Sequence, residues 1–253
     1  MSDPDEQEQS LTPARVLPVE EALHVLRHAD LTVEGRLMDA SNATLYCAAR
    51  GDGIEAACVY KPVSGERPLW DFPDGTLAER EVAAYEVSAA TGWDIVPPTI
   101  YRDGPFGPGM VQLWIDTDTD VDIVRLVRRG TCEQLRRIAV FDAVVNNADR
   151  KGGHLLPVVS GHVYGIDHGI TFHPDPKLRT LLWQWAGEPL TDEAIDMLQR
   201  LRAELDATLG DRLAELLTTR EVRRTIGRVD RLLTELSHPH PAGDRPPIPW
   251  PPI

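Results

Sequence analysis

One change of pattern near Asp116 constrains this chain most. From Leu31 to Asp116 the sequence reads as strands with one helix, and after Asp120 it reads as helix. LTVEGRLM, ATLYCAAR and IEAACVYKP are short β-branched or aromatic runs, broken by turn signals such as Gly51-Asp52-Gly53. TIYRD and GMVQLWID follow further on, separated by GPFGPG. Between the two sets a helix is predicted over Leu77 to Ala90. Thr76 and Glu79 give its start a capping-box spacing, and Thr91-Gly92 marks its end. In the second half VDIVRLVRR predicts a short helix. Cys132 to Val145 predicts a longer one, with Leu135, Ile138, Ala139, Phe141, Asp142 and Val145 near helical spacing. Three more are expected over Thr191 to Leu209, Asp211 to Leu217 and Arg220 to Leu236, the last with a second capping-box spacing at Thr218 and Glu221. The plan is a β-rich half, a connector and an α-rich half, with no internal repeat.

Composition narrows the partners. A length of 253 residues allows one large domain or two small ones sharing an interface. A net charge of -14 argues against nucleic acid, which needs a basic stripe, and against an anionic membrane surface. No apolar run approaches the ~18 to 20 residues of a membrane span. The acidic start, MSDPDEQEQS, is not a signal peptide. Cys47, Cys58 and Cys132 form no CxxC pair and read as reduced cytoplasmic thiols, which disfavours a cysteine-built zinc site. His24 and His28, four apart on a predicted helix, read as a solvent-facing pair.

The ends differ from the middle. Residues 1–18 are expected to be a disordered acidic tail. Residues 19–116 are expected to form the first lobe and 117–237 the second. Residues 238–253, HPHPAGDRPPIPWPPI, are a proline-rich tail that cannot be helix or central strand. It is expected to pack Trp250 on its own body, with a polyproline-binding partner as the alternative.

Four features carry chemistry. Lys61 ends the apolar run CVYKP, which puts an ammonium at the edge of a core or lets it reach out to water. On the predicted helix Glu79 serves the capping box, whereas Glu81 is free to face inward and pair with a lysine on a neighbouring strand. Asp149 ends Asn147-Ala148-Asp149 at a helix-to-loop junction, with His154 five residues on. Asp167 ends a strand-like run and opens Asp167-His168-Gly169. Turn formation by Asx chemistry explains either aspartate alone. It does not explain both appearing behind a Lys and a Glu in this order, which is the parts list of kinase-type phosphoryl transfer.

On these pieces, VYKP, EREVAAYEVS with GWDIVPPT, NNADRKGGHLL and GIDHGITF, the sequence resembles the phosphatidylinositol 3-/4-kinase-like atypical kinases and an actinobacterial branch of them. The resemblance spans about residues 30–175. It implies an α+β, two-lobed protein-kinase-like fold with ATP and Mg²⁺ or Mn²⁺ between the lobes. By the same resemblance Lys61 binds the α/β-phosphates, Glu81 holds Lys61, Asp149 is the catalytic base or orients the acceptor, and Asp167 chelates the metal. A GxGxxG phosphate cover is missing. In its place Ser41 and Asn42 are the candidate phosphate contacts. The adenine-contacting hinge is placed at Gln112, Leu113 and Trp114. His154 stands where the family usually has a metal-binding asparagine. Imidazole favours softer metals, so His154 shifts the metal preference, meets a phosphate as a cation, or marks reduced activity.

The implied acceptor is a protein hydroxyl or an inositol-type small molecule, ranked above a membrane lipid. A regulatory pseudokinase and a nucleotidyl (AMP) transferase are the alternatives. The acidic run from Asp116 to Asp122 fails as a calcium loop, because Val121 and Val127 replace the required Gly and Glu. Trp183-Gln184-Trp185 is expected to be core. Arg223, Arg224, Arg228 and Arg231 are expected to form a solvated face.

Overall fold

The computed structural model describes residues 17–37, 42–243 and 245–252. Ser41, most of the predicted N-terminal tail and Ile253 lie outside them. Helix α1 (Val19–His28) leads into β1 (Asp30–Arg36), β2 (Leu45–Gly51) and β3 (Ile54–Pro62). Helix α2 (Leu77–Thr91) precedes β4 (Thr99–Gly104) and β5 (Gly107–Leu113). These strands form one antiparallel sheet in the order β1-β2-β3-β5-β4. The second half holds α3 (Ile123–Arg129), α4 (Glu133–Val145), the short hairpin β6 (Leu155–Pro157) and β7 (Val163–Gly165), then α5 (Asp192–Leu205), α6 (Thr208–Leu216) and α7 (Thr219–Glu235). The fold is the expected α+β arrangement, a β-rich part followed by a helical one.

Along β3 the residues alternate in burial, so Cys58 and Tyr60 enter the core while Lys61 takes the other face. Helix α2 is buried nearly all round, because it lies between β4 and β5 on one side and α5 and α6 on another. Its start is not a capping box. The Thr76 hydroxyl donates to Pro73 O, and Glu66 from the preceding loop accepts from Leu77 N and Ala78 N instead. The capping box of α7 does form, with the Thr218 hydroxyl accepting from Glu221 N while the Glu221 carboxylate accepts from Thr218 N. Glu221 also takes a bond from buried Arg80, whose Nη1 donates to Thr171 O at 2.8 Å. The helix that carries Glu81 is thereby pinned to the second half of the chain.

Other expectations shift. The predicted helix from Thr191 to Leu209 breaks at Asp206-Ala207 into α5 and α6. Trp185 is core, but Trp183 is only partly buried. Arg228 is not on a solvated face. It turns inward to donate to Val144 O at 2.7 Å, and burial beside Arg224 pushes its pKa down to about 9.

The proline-rich tail lies against the helical part by its carbonyls. Pro247 O accepts from Thr180 N and from the Trp183 indole, and Pro252 O accepts from Gly152 N at 2.8 Å. Pro249 is buried while Trp250 is 86% exposed, so the expected packing of Trp250 is not what anchors the tail. Proline carbonyls are strong acceptors with no competing N–H, and here the body supplies the donors. No helix among the described residues is long and apolar enough to cross a membrane.

His238 roots the tail, buried and paired through its backbone with Gly187 and Glu188. Burial and the neighbouring Arg136 push its pKa down to about 4. The folded chain then binds this proton less readily than the unfolded chain, so the contribution is complete above the ordinary value of 6.5 and is lost as pH falls towards 4. Thermal unfolding is expected to move to lower temperature between pH 7 and pH 4.5. The drop should be smaller in His238→Asn, and an equal drop in both proteins would refute this role.

Candidate active site

Four of the sequence candidates meet in one chain of contacts. Lys61 Nζ donates to Glu81 Oε1 at 2.7 Å and to Asp167 Oδ1 at 2.8 Å. The other oxygen of Asp167 lies 3.3 Å from His154 Nε2. Glu81 is buried, and its Oε2 accepts from His168 N at 2.7 Å. Each partner comes from a different element: the end of β3, the first turns of α2, the segment after β7 and the loop after α4.

Charge balance follows from this geometry. Burial works against the Lys61 ammonium, but Asp167 and Glu81 outweigh it and raise its pKa. Lys61, followed by His154, holds the Asp167 carboxyl well below the usual carboxylate range. Burial raises Glu81, opposed by Lys61. Burial also lowers His154, with Asp167 opposing, which keeps the ring neutral near pH 7. Its Nδ1 accepts from Lys151 N, so Nε2 carries the proton and donates to Asp167. Metal ligation through Nε2 requires that hydrogen bond to be given up.

Asp167 has a positive φ of 61°. Aspartate tolerates this left-handed backbone better than most residues, and such positions recur where a side chain must be aimed. Its side chain is half exposed, at 47%, unlike the buried Glu81. Asp149 is held differently. Its backbone N–H donates to Asn147 Oδ1 at 2.9 Å, and its carboxylate pairs with Lys151 at 2.9 Å. The Asp149 charge is close enough to act on His154.

Sequence reasoning missed what holds this site together. Arg150 is completely buried. Its guanidinium binds both oxygens of buried Asp142 in α4, donates to Ile166 O at 2.9 Å and to His154 O at 3.3 Å, and meets His168 Nε2 at 2.6 Å. Arg150 thus ties the Asp149 loop to the Asp167 segment. His168 packs edge-on against Phe141, and burial followed by Arg150 lowers its pKa well below the ordinary value. Gly165 leaves room for the guanidinium, since a Cβ there would lie 3.2 Å from Arg150 Nη2. One signal was visible: Asp142 is a charged residue at a core-facing position of α4.

The residues of the expected adenine hinge make contacts within the fold. The Gln112 side chain is buried and donates to Thr99 Oγ1 at 2.8 Å, so it faces β4. Leu113 N donates to Pro98 O and Trp114 N to Ala57 O, so both amides are taken by the fold. The Trp114 ring stands edge-on to Tyr46. Near the predicted phosphate cover, Asn42 Oδ1 accepts from Arg67 N at 2.9 Å.

Asp167 Oδ2 and His154 Nε2, the expected metal ligands, lie 3.3 Å apart. Among the described residues no group of three or more His, Cys, Asp or Glu has metal-binding spacing. A divalent ion here would draw its remaining ligands from phosphate oxygens and water, as Mg²⁺ commonly does.

The chain is 44% identical to Protein Rv2133c of Mycobacterium tuberculosis over an alignment of 261 residues, covering 90% of this chain and 94% of that protein. The chain belongs to the Rv2133c family. No protein-family model matches the sequence. Among solved structures, a Helicobacter pylori proinflammatory kinase, CtkA, matches 83% of this chain and 94% of its own, with a TM-score of 0.45 and 11% identity.

Removing Asp142 would leave the Arg150 charge buried without its partner. Asp142→Asn is expected to lower the unfolding free energy by about 3–5 kcal/mol in urea titrations. The double replacement Asp142→Leu/Arg150→Met should recover part of that loss. A change under about 1 kcal/mol in the single variant would contradict the assignment.

Proposed function

We propose that this member of the Rv2133c family is a kinase-type phosphotransferase that uses ATP and a divalent cation to phosphorylate a hydroxyl group. The observation that supports this best is Lys61, paired at once with Glu81 at 2.7 Å and Asp167 at 2.8 Å across 20 and 106 residues of sequence. A strand lysine held by a helix glutamate, facing an aspartate that follows the catalytic loop, is the working arrangement of protein kinases.

Phosphoryl transfer needs little covalent help from the protein, so positioning and charge neutralisation dominate. Lys61 is placed to meet α/β-phosphate oxygens, with Glu81 keeping the ammonium in position. Asp167, kept ionised by Lys61, and His154 would hold the cation, Mg²⁺ or Mn²⁺, which supplies Lewis-acid stabilisation of the phosphate oxygens. Asp149 is assigned to the acceptor. It orients the hydroxyl and takes its proton as the acceptor oxygen bonds to the γ-phosphorus and ADP departs. The finer placing, among phosphatidylinositol 3-/4-kinase-like enzymes with a protein or inositol-type acceptor, rests on the motifs NNADRKGGHLL and GIDHGITF.

One observation favours a second reading, a nucleotide-binding pseudokinase. His154 donates to the same carboxylate that would bind the metal.

ATP with Mg²⁺ or Mn²⁺ is expected to raise the melting temperature, and the protein is expected to turn ATP over. Asp167→Asn should lower kcat at least about 100-fold and leave the fold intact. Retained turnover in Asp167→Asn would rule out the assigned role. Metal-dependent ATP binding without turnover would select the pseudokinase, in which case His154→Asn is expected to raise turnover. No ATP binding would end both readings.

A further inference from the structure

A cavity of about 440 Å³ lies between α3, the segment around Trp183 and the proline-rich tail. None of Lys61, Glu81, Asp149, His154 or Asp167 lines it. Val124, Val127, Leu181 and Ile248 make its walls apolar, together with the Trp183 ring. The polar end of that indole is already committed to Pro247 O at 3.0 Å. A volume of this size suits a molecule of two or three rings.

Gln184 donates through Nε2 to Val127 O at 2.7 Å, and its Oε1 is buried out of a ligand's reach. The polar handle of the cavity is Arg128, exposed on the rim, whose guanidinium makes no ion pair or hydrogen bond among the described residues, in a chain whose net charge is -14. An unpaired guanidinium there favours an anion.

We propose that this cavity is a second binding site, which takes a small amphipathic anion: an apolar ring body for the walls and an acidic group for Arg128. A ligand so placed touches Gly152 and Pro252, the pair whose hydrogen bond joins the tail to the loop between Asp149 and His154.

The probe is 8-anilinonaphthalene-1-sulfonate, which has a fused-ring body, one N–H and a sulfonate. Its uncharged counterpart, N-phenyl-1-naphthylamine, keeps the body and the N–H. With the full chain, titration of the sulfonate is expected to give saturable one-to-one fluorescence enhancement. Val124→Trp, which fills the cavity, should weaken both probes at least about tenfold. Arg128→Glu, on an exposed side chain, should weaken the sulfonate about two- to fivefold and leave the neutral probe unchanged. Should Val124→Trp fail to fold, Arg128→Glu decides. Unsaturable binding, or Arg128→Glu affecting neither probe or both equally, would overturn the proposal. No step of this test uses ATP, so its result is independent of the kinase assay.

Discussion

Arg150 holds a full positive charge where no water reaches it, and the geometry of the candidate site follows from how that charge is satisfied. An unpaired buried guanidinium costs several kcal/mol, so the fold is stable only if Asp142 arrives with both oxygens and the carbonyls of Ile166 and His154 turn inward. Those demands fix three separate stretches: the last turns of α4, the loop of Asp149, and the chain leading to Asp167. Replacing a buried ion pair of this kind by apolar groups of the same volume is often neutral or stabilising. The consequence of the pair is positional, because a guanidinium has five donors in one plane and accepts few arrangements of partners.

A second buried pair, Arg80 with Glu221, does the same between the two halves of the molecule. Arg80 is the residue before Glu81, so the helix that presents Glu81 to Lys61 is tied to α7 and to Thr171 O. Lys61 then sits in the field of two carboxylates held from opposite sides, one buried and one half exposed. The half-exposed partner, Asp167, is the one proposed to exchange the ammonium for a metal cation.

Much of this was legible in the sequence. Strand and helix positions followed from residue type and spacing, and the four candidates Lys61, Glu81, Asp149 and Asp167 stood out by their order along the chain. The failures share one physical cause, which is that their partners are distant in sequence. The start of α2 is capped by Glu66, ten residues before the expected Thr76, because a loop carboxylate reaches two free amides at once. Arg228 falls on a helical arginine stripe that looks solvated, but the carbonyl of Val144 lies beneath it. The tail is expected to pack on the body through Trp250, but donors from residues 152, 179, 180 and 183 hold its carbonyls instead.

By itself the sequence determined local conformation and residue chemistry, because hydrophobic period, turn residues and ionisable groups act over a few residues. It placed a lysine at a strand end, a spare glutamate in a helix, and two aspartates at the ends of buried elements. The tertiary structure alone decided which of these charges meet. Coulomb interaction and burial depend on distances through space, and chain separations of 20 and 106 residues are collapsed to 2.7 and 2.8 Å around Lys61 only by the packing of the whole molecule.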